Sequence, residues 1–159
     1  MIATIKRVLQ NDKVKLIPFG GEKDFEYLYN LIPTYKYNTT SREDVKKLIN
    51  QYGYLFWIGY GNGIKMGVAC VCYFSKVDRY SLDGYLDNKV AKRVNNRISF
   101  GYEAGKLVSD YMLNNITDTL WTAHDIKNRG ATIMCRRIGF AKEEIKNRII
   151  VMRRRKIWA

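Results

Sequence analysis

The run YLFWIGYGNGIKMGVACVCYF, residues 54 to 74, constrains the fold more than any other part of the chain. Two β-rich stretches flank Gly61-Asn62-Gly63. Aromatic and β-branched residues suit a pleated, half-buried surface, and Gly-Asn-Gly tolerates the positive φ that a tight hairpin demands. The run therefore predicts an antiparallel pair. RYSLDGYLD, residues 79 to 87, follows as a third strand of the same meander.

Helical spacing brackets this meander. VKLIPFGG (14–21) reads as a short strand ended by Pro18 and the Gly pair. In EKDFEYLYNLIP (22–33), Phe25, Leu28 and Leu31-Ile32 make one helical face, and Pro33 stops it. Ser41 followed by Asp44 is an N-cap signature for SREDVKKLINQYG, whose Val45, Leu48 and Ile49 turn inward and whose C-cap is Gly53. Downstream, GYEAGKLVSDYMLNN (101–115) places Ala104, Leu107, Val108, Tyr111 and Met112 at helical spacing. DTLWTAHD (118–125) reads as a strand, GATIMCRRI (130–138) as a helix and RIIVMRRRK (148–156) as a last strand. The polar, basic stretch NKVAKRVNNRISF (88–100) carries no assignment. No repeat or linker divides the chain. The order predicts one α+β domain over residues 1–159, a mixed and mostly antiparallel sheet flanked by helices.

Charge narrows the partners. The chain carries 28 Lys and Arg against 15 Asp and Glu, a formal +13. Residues 127 to 159 alone hold eleven Lys or Arg and two Glu. Such an excess suits an anionic partner, with a merely solvated face as the alternative. Arg153, Arg154 and Arg155 are expected on a last strand at an edge or corner, where Arg136 and Arg137 would extend them into a patch for tRNA or DNA. Cys70 and Cys72 share one strand face and Cys135 stands apart, so free thiols in a reducing cytosol are expected, without a metal. No apolar run approaches a membrane span, and a cytoplasmic protein is expected.

The stretch HDIKNRGATIMCRRIGF (124–140) resembles a marker of the GCN5-related N-acetyltransferases: an Asn, a small residue three on, then Gly-Phe where the helix ends. Asn128, Ala131, Gly139 and Phe140 fall at those places, and the resemblance covers roughly residues 14 to 155. It implies a site for acetyl-coenzyme A between the helices at 101–115 and 130–138, beside two strands that splay apart. Asn128 would meet the pantetheine arm with both a donor and an acceptor. The family's phosphate loop reads Arg/Gln-x-x-Gly-x-Gly/Ala. Aligned on Leu107-Val108, it puts Ser99 at the first place, Tyr102 at the first Gly and Ala104 at the last, and only Ala104 matches. Gly101 and Gly105 would let backbone approach the phosphates, and Arg97 would supply charge.

The resemblance further implies acyl transfer to an amine. On the third strand of the meander, alternation puts Ser81, Asp83, Tyr85 and Asp87 on one face, and Asp83 or Asp87 is a candidate base. Backbone amides near Leu86 would polarise the thioester carbonyl. His124, the chain's single His, is a candidate proton shuttle, or a strand-end His bonded to backbone. Cys135 stands where many relatives carry an acidic Tyr; it is either a weak acid or helix filler, with Tyr111 or another phenol as substitute. The alternative to an enzyme is a degenerate fold of this kind serving as a nucleic-acid- or protein-binding module.

Overall fold

The computed structural model describes residues 7–32, 41–94 and 97–157, with side chains for all of these except 92–94 and 97–99. The elements run β1 (Leu9–Gln10), β2 (Val14–Pro18), α1 (Glu22–Leu31), α2 (Arg42–Tyr52), β3 (Gly53–Gly61), β4 (Ile64–Phe74), β5 (Arg79–Leu86) and α3 (Asn88–Val94). They continue through α4 (Arg97–Asn115), β6 (Thr119–Asp125), α5 (Arg129–Ile138), β7 (Ala141–Lys146) and β8 (Ile149–Arg155). The strands form one sheet in the order β1-β2-β3-β4-β5-β6-β8-β7. Among the described residues only the β5–β6 pair is parallel.

The hairpin forms as its sequence predicts. Asn62 (φ 51) and Gly63 (φ 77) turn between Gly61 and Ile64, the left-handed pair of a type I′ connection. Alternation along the strands then divides the core in two. Leu16, Trp57, Val71, Leu120 and Met152 face α4 and α5. Phe56, Ile58, Val68 and Cys70 face α1 and α2. Each large side chain buried this fully contributes about 1.5–3 kcal/mol. Among the described residues no helix is long and apolar enough to cross a membrane.

The unassigned stretch 88–100 supplies α3 and the start of α4. The segment expected as a phosphate loop, 97 to 105, is helical throughout. Gly53 caps the end of α2 as expected, in an extended conformation (φ −61, ψ 137) with its amide donating to the Ile49 carbonyl. Its missing Cβ matters for space, since one there would stand 2.5 Å from the Ile49 carbonyl and 2.8 Å from the Phe56 ring.

The last strand, expected at an edge or corner, is β8, and it lies inside the sheet because β7 returns along its outer side. Two of its arginines are neutralised there. Arg153 pairs with Glu143 at 2.9 Å, and Arg154 pairs with Asp110 at 2.7 Å and donates to the Ser109 hydroxyl at 2.5 Å. The stem of Arg154 also lies across Gly139, where a Cβ would stand 3.3 Å from its Nε. Arg154 thus ties β8 to α4 over the end of α5. The exposed remainder of the expected patch is Arg136, Arg137 and Arg155.

Candidate active site

The parallel ladder between β5 and β6 is short. It joins Tyr80 to Leu120 and Ser81 to Trp121, and one further link follows, from the Thr122 hydroxyl to the Leu82 carbonyl at 2.9 Å. Both strands run on, β5 to Leu86 and β6 to Asp125, without pairing to each other. A notch opens between them at the centre of the sheet. Because the Leu82 carbonyl points towards β6, alternation directs the backbone of Gly84 and Leu86 the same way. The Asp87 amide points oppositely, to the Met66 carbonyl at 2.7 Å.

Asp83 sits beside this notch, on the face shared with α1 and α2. Its carboxylate accepts from the Gly84 amide and from the Tyr85 hydroxyl, each at 2.8 Å. The carboxyl is reachable by solvent yet surrounded by protein. That desolvation raises its pKa above the ordinary value, outweighing the two hydrogen bonds, which lower it. Burial and the nearby Asp83 charge push the Tyr85 phenol up, so it stays a donor.

The other candidates fall into distinct places. Asp87 caps α3: its carbonyl accepts from the Ala91 amide at 2.8 Å, its carboxylate lies 3.5 Å from the Val90 amide, and the Tyr27 hydroxyl donates to it at 3.2 Å. His124 points to the opposite face of the sheet from Asp83, pairing with Ile150 on the α5 side. Its Nε2 lies 2.7 Å from the Thr132 hydroxyl on α5, and its Nδ1 is buried without a partner among the described residues. Desolvation lowers its pKa, against the opposing pull of Asp125. The structure therefore does not bring His124 and Asp83 together.

Cys135 is brought closer. It is buried on α5, and burial with the neighbouring Asp83 charge pushes its thiol up to about 11. Tyr111 packs edge-on against Trp57 at 6.1 Å, with Arg7 over its ring.

Asn128 is the N-cap of α5, its Oδ1 accepting from the Ala131 amide at 3.1 Å. Gly139 (φ 120) closes the same helix, with the Gly139 and Phe140 amides returning to the Cys135 carbonyl at 3.1 and 2.9 Å. Phe140 is buried behind it.

Gly101 and Gly105 have a role the sequence pattern did not reveal. A Cβ on Gly101 would stand 2.7 Å from the Met134 sulfur, and one on Gly105 would stand 2.7 Å from Ile138 Cδ1. The two glycines, one turn apart, let α4 and α5 approach closely beside the notch. Ala104 is buried in the same core, and Tyr102 packs at its rim. The side chains of Arg97 and Ser99 lie outside the described residues; their backbone forms the first turn of α4.

No protein-family model matches the chain, and no curated protein does. Solved structures do. An acetyltransferase of the GNAT family from Bacillus anthracis superposes with a TM-score of 0.67 at 13% identity, over 94% of this chain and 99% of that one. The Campylobacter jejuni N-acetyltransferase PseH, solved with acetyl coenzyme A, gives 0.62 at 12% identity over 91% and 99%. A Salmonella typhimurium acetyl transferase that modifies the N-terminal serine of a 50S ribosomal subunit protein gives 0.64 at 15% over 94% and 99%. At such identities the likeness is one of architecture, and it extends over nearly the whole chain: the protein has the fold of the GCN5-related N-acetyltransferases.

Proposed function

We propose that this protein is an acyl-coenzyme A-dependent N-acetyltransferase that acetylates an amine. The observation that carries the reading is the notch between β5 and β6 with the Asp83 carboxylate on its rim. The residues present fit the cofactor. The Gly84 carbonyl is directed into the notch, as an amide-bearing arm laid along β5 requires, while the Gly84 amide is held by Asp83. The first-turn amides of α4, at Arg97 to Phe100, offer an anion site for phosphates. Asn128 retains its side-chain amide donor after capping α5. Acetyl-coenzyme A would supply an activated acyl carbon there.

The chain's own task is then proton handling. An alkylammonium with a pKa near that of lysine, about 10.4, must lose a proton before it can attack. Asp83, raised by desolvation and held by Gly84 and Tyr85, accepts it better than an ordinary carboxylate would. Cys135 is poorly suited to return a proton to a leaving thiol. Its pKa of about 11 against about 8.5 for a free thiol makes that transfer uphill by roughly 3 kcal/mol. Cys135 instead walls the site, and His124 fixes the start of α5 through Thr132. Cys70, Cys72 and Cys135 remain free thiols, in keeping with a cytoplasmic setting.

Heat-shift titration tests the reading: at 100 times its dissociation constant, acetyl-coenzyme A is expected to stabilise the fold by about 2.7 kcal/mol. Thiol release with an amine panel tests turnover. No shift at millimolar cofactor would sink the proposal.

The exposed Arg136, Arg137 and Arg155 favour a second reading, in which this face also holds nucleic acid. Binding to duplex DNA should then fall with salt at a log-log slope near −0.9 per neutralised phosphate. Arg136→Ala with Arg137→Ala should flatten that slope by about two such contacts. An unchanged slope would leave these cations as a solvated face.

A further inference from the structure

The open face of the sheet next to Asp83 carries a second cluster. Trp121 on β6 lies opposite Ser81 on β5 and opposite Arg153 on β8, so one face of three adjacent strands presents Arg79, Ser81, Asp83, Trp121, Ala123 and Arg153. Ala123 and Asp83 are exposed there. The Arg79 guanidinium is stacked 3.7 Å from the centroid of the Trp121 ring, and that of Arg153 stands 5.3 Å from the same ring. A guanidinium on an indole face is held by the ring quadrupole and keeps its N–H fork in one plane.

The two arginines differ in one respect. Arg153 has Glu143 as an ion-pair partner. Arg79 has no carboxylate partner among the described residues, and its stack on Trp121 satisfies none of its five donors. A half-buried guanidinium oriented by an aromatic ring and left without an anion is arranged to receive one.

We infer that Arg79, stacked on Trp121 and flanked by Arg153, binds an oxyanion carried by the acceptor, whose amine lies at Asp83. The inference rests on the acetyltransferase reading for the amine end, while the anion end stands on its own geometry. Arg79 and Asp83 are four residues apart on one strand face, and Trp121 is level with Ser81 between them. At about 3.3 Å per strand residue, the anion lies roughly 7–13 Å from the amine. The acceptor class is therefore an amine bearing a carboxylate or phosphate at that separation. The oxyanion accepts charge-assisted hydrogen bonds from Arg79, and the amine gives up its proton at the other end.

Tryptophan fluorescence of the whole protein tests this, with octylamine, 8-aminooctanoate and 8-aminooctyl phosphate as probes. One or both oxyanion probes should bind about ten- to a hundred-fold more tightly than octylamine, as expected of hydrogen bonds to a charged group. The tighter of the two identifies carboxylate or phosphate as the natural group. Arg79→Gln should abolish the preference, Arg79→Lys should retain part of it, and Trp121→Phe should remove the optical signal. Far-UV circular dichroism and the cofactor-free melting of each variant report that it is folded. Equal binding of all three probes, no binding at 10 mM as an approximate upper limit, or a preference that survives Arg79→Gln would overturn the inference. If the oxyanion preference holds but acetyl-coenzyme A neither binds nor reacts, the transferase reading fails and the anion site stands.

Discussion

Asp83→Asn is expected to lower turnover by about 10²–10⁴-fold while leaving the acetyl-coenzyme A heat shift intact. The substitution is nearly isosteric. An Asn oxygen still accepts from the Tyr85 hydroxyl or the Gly84 amide, now at 2.8 Å from the carboxylate, but it cannot take a proton at neutral pH. The pH dependence gives a second readout. Desolvation raises the Asp83 pKa, so the acid limb of kcat/KM should lie above the ordinary carboxylate range, activity rising as the group ionises. That limb should vanish in the variant. Stability should move oppositely. A carboxyl with a raised folded pKa stabilises the fold fully below its unfolded value of 3.8, and that contribution is lost as pH rises through the folded pKa. Asp83→Asn should therefore not lower Tm at pH 7. If turnover stays within about two-fold of wild type, or the limb persists, the base lies elsewhere.

Much of this arrangement is legible in the residues, for a local reason. Gly61-Asn62-Gly63, the Ser41 cap and the Gly139-Phe140 stop each encode a backbone conformation within a few residues, and each forms. The strand β7 escaped detection because AKEEIK has no clear alternation and its turn, Asn147 (φ 51) and Arg148 (φ 68), lacks the glycine that marks such a connection. Without β7 the strand β8 falls at an edge and Arg153 loses Glu143 from view, whereas the partner of Arg154, Asp110, comes from α4 and depends on how that helix crosses the sheet. Gly101 and Gly105 were ambiguous for a different reason. A glycine near a helix start serves a phosphate or a neighbouring helix equally well, and only the positions of Met134 and Ile138 decide between them. The alternation of Asp83 and Tyr85 was readable, but the distance between Arg79 and Trp121 depends on which strand lies beside β5 and was not.

Gly67→Ala is expected to damage the protein at the wall of the notch itself. Gly67 on β4 faces Leu86 on β5. A Cβ there would stand 2.2 Å from the Tyr85 carbonyl oxygen, 3.1 Å from the Leu86 Cα and 3.2 Å from the Tyr85 carbonyl carbon. All three are backbone atoms in a paired strand, so no side chain can swing aside to relieve the contact. The end of β5 must move instead, and with it the Tyr85 hydroxyl that holds Asp83 and the backbone directed into the notch. Overpacking of this kind costs about 1–3 kcal/mol, which for a chain of this size lowers Tm by roughly 2–12 °C. The acetyl-coenzyme A heat shift should shrink as well, because the displaced segment is the proposed bed of the cofactor. Gly84→Ala is the matched control on the next strand, where the nearest atom to a new Cβ is the Val68 carbonyl oxygen at an ordinary 3.5 Å. There the loss of glycine's unfolded-state freedom should leave Tm unchanged or slightly raised. Melting of both variants with and without cofactor separates the cases. A Gly67→Ala protein that melts within about 1 °C of wild type and keeps its full cofactor shift would show that β5 yields freely at Tyr85 and Leu86, and that the notch does not depend on the close approach at Gly67.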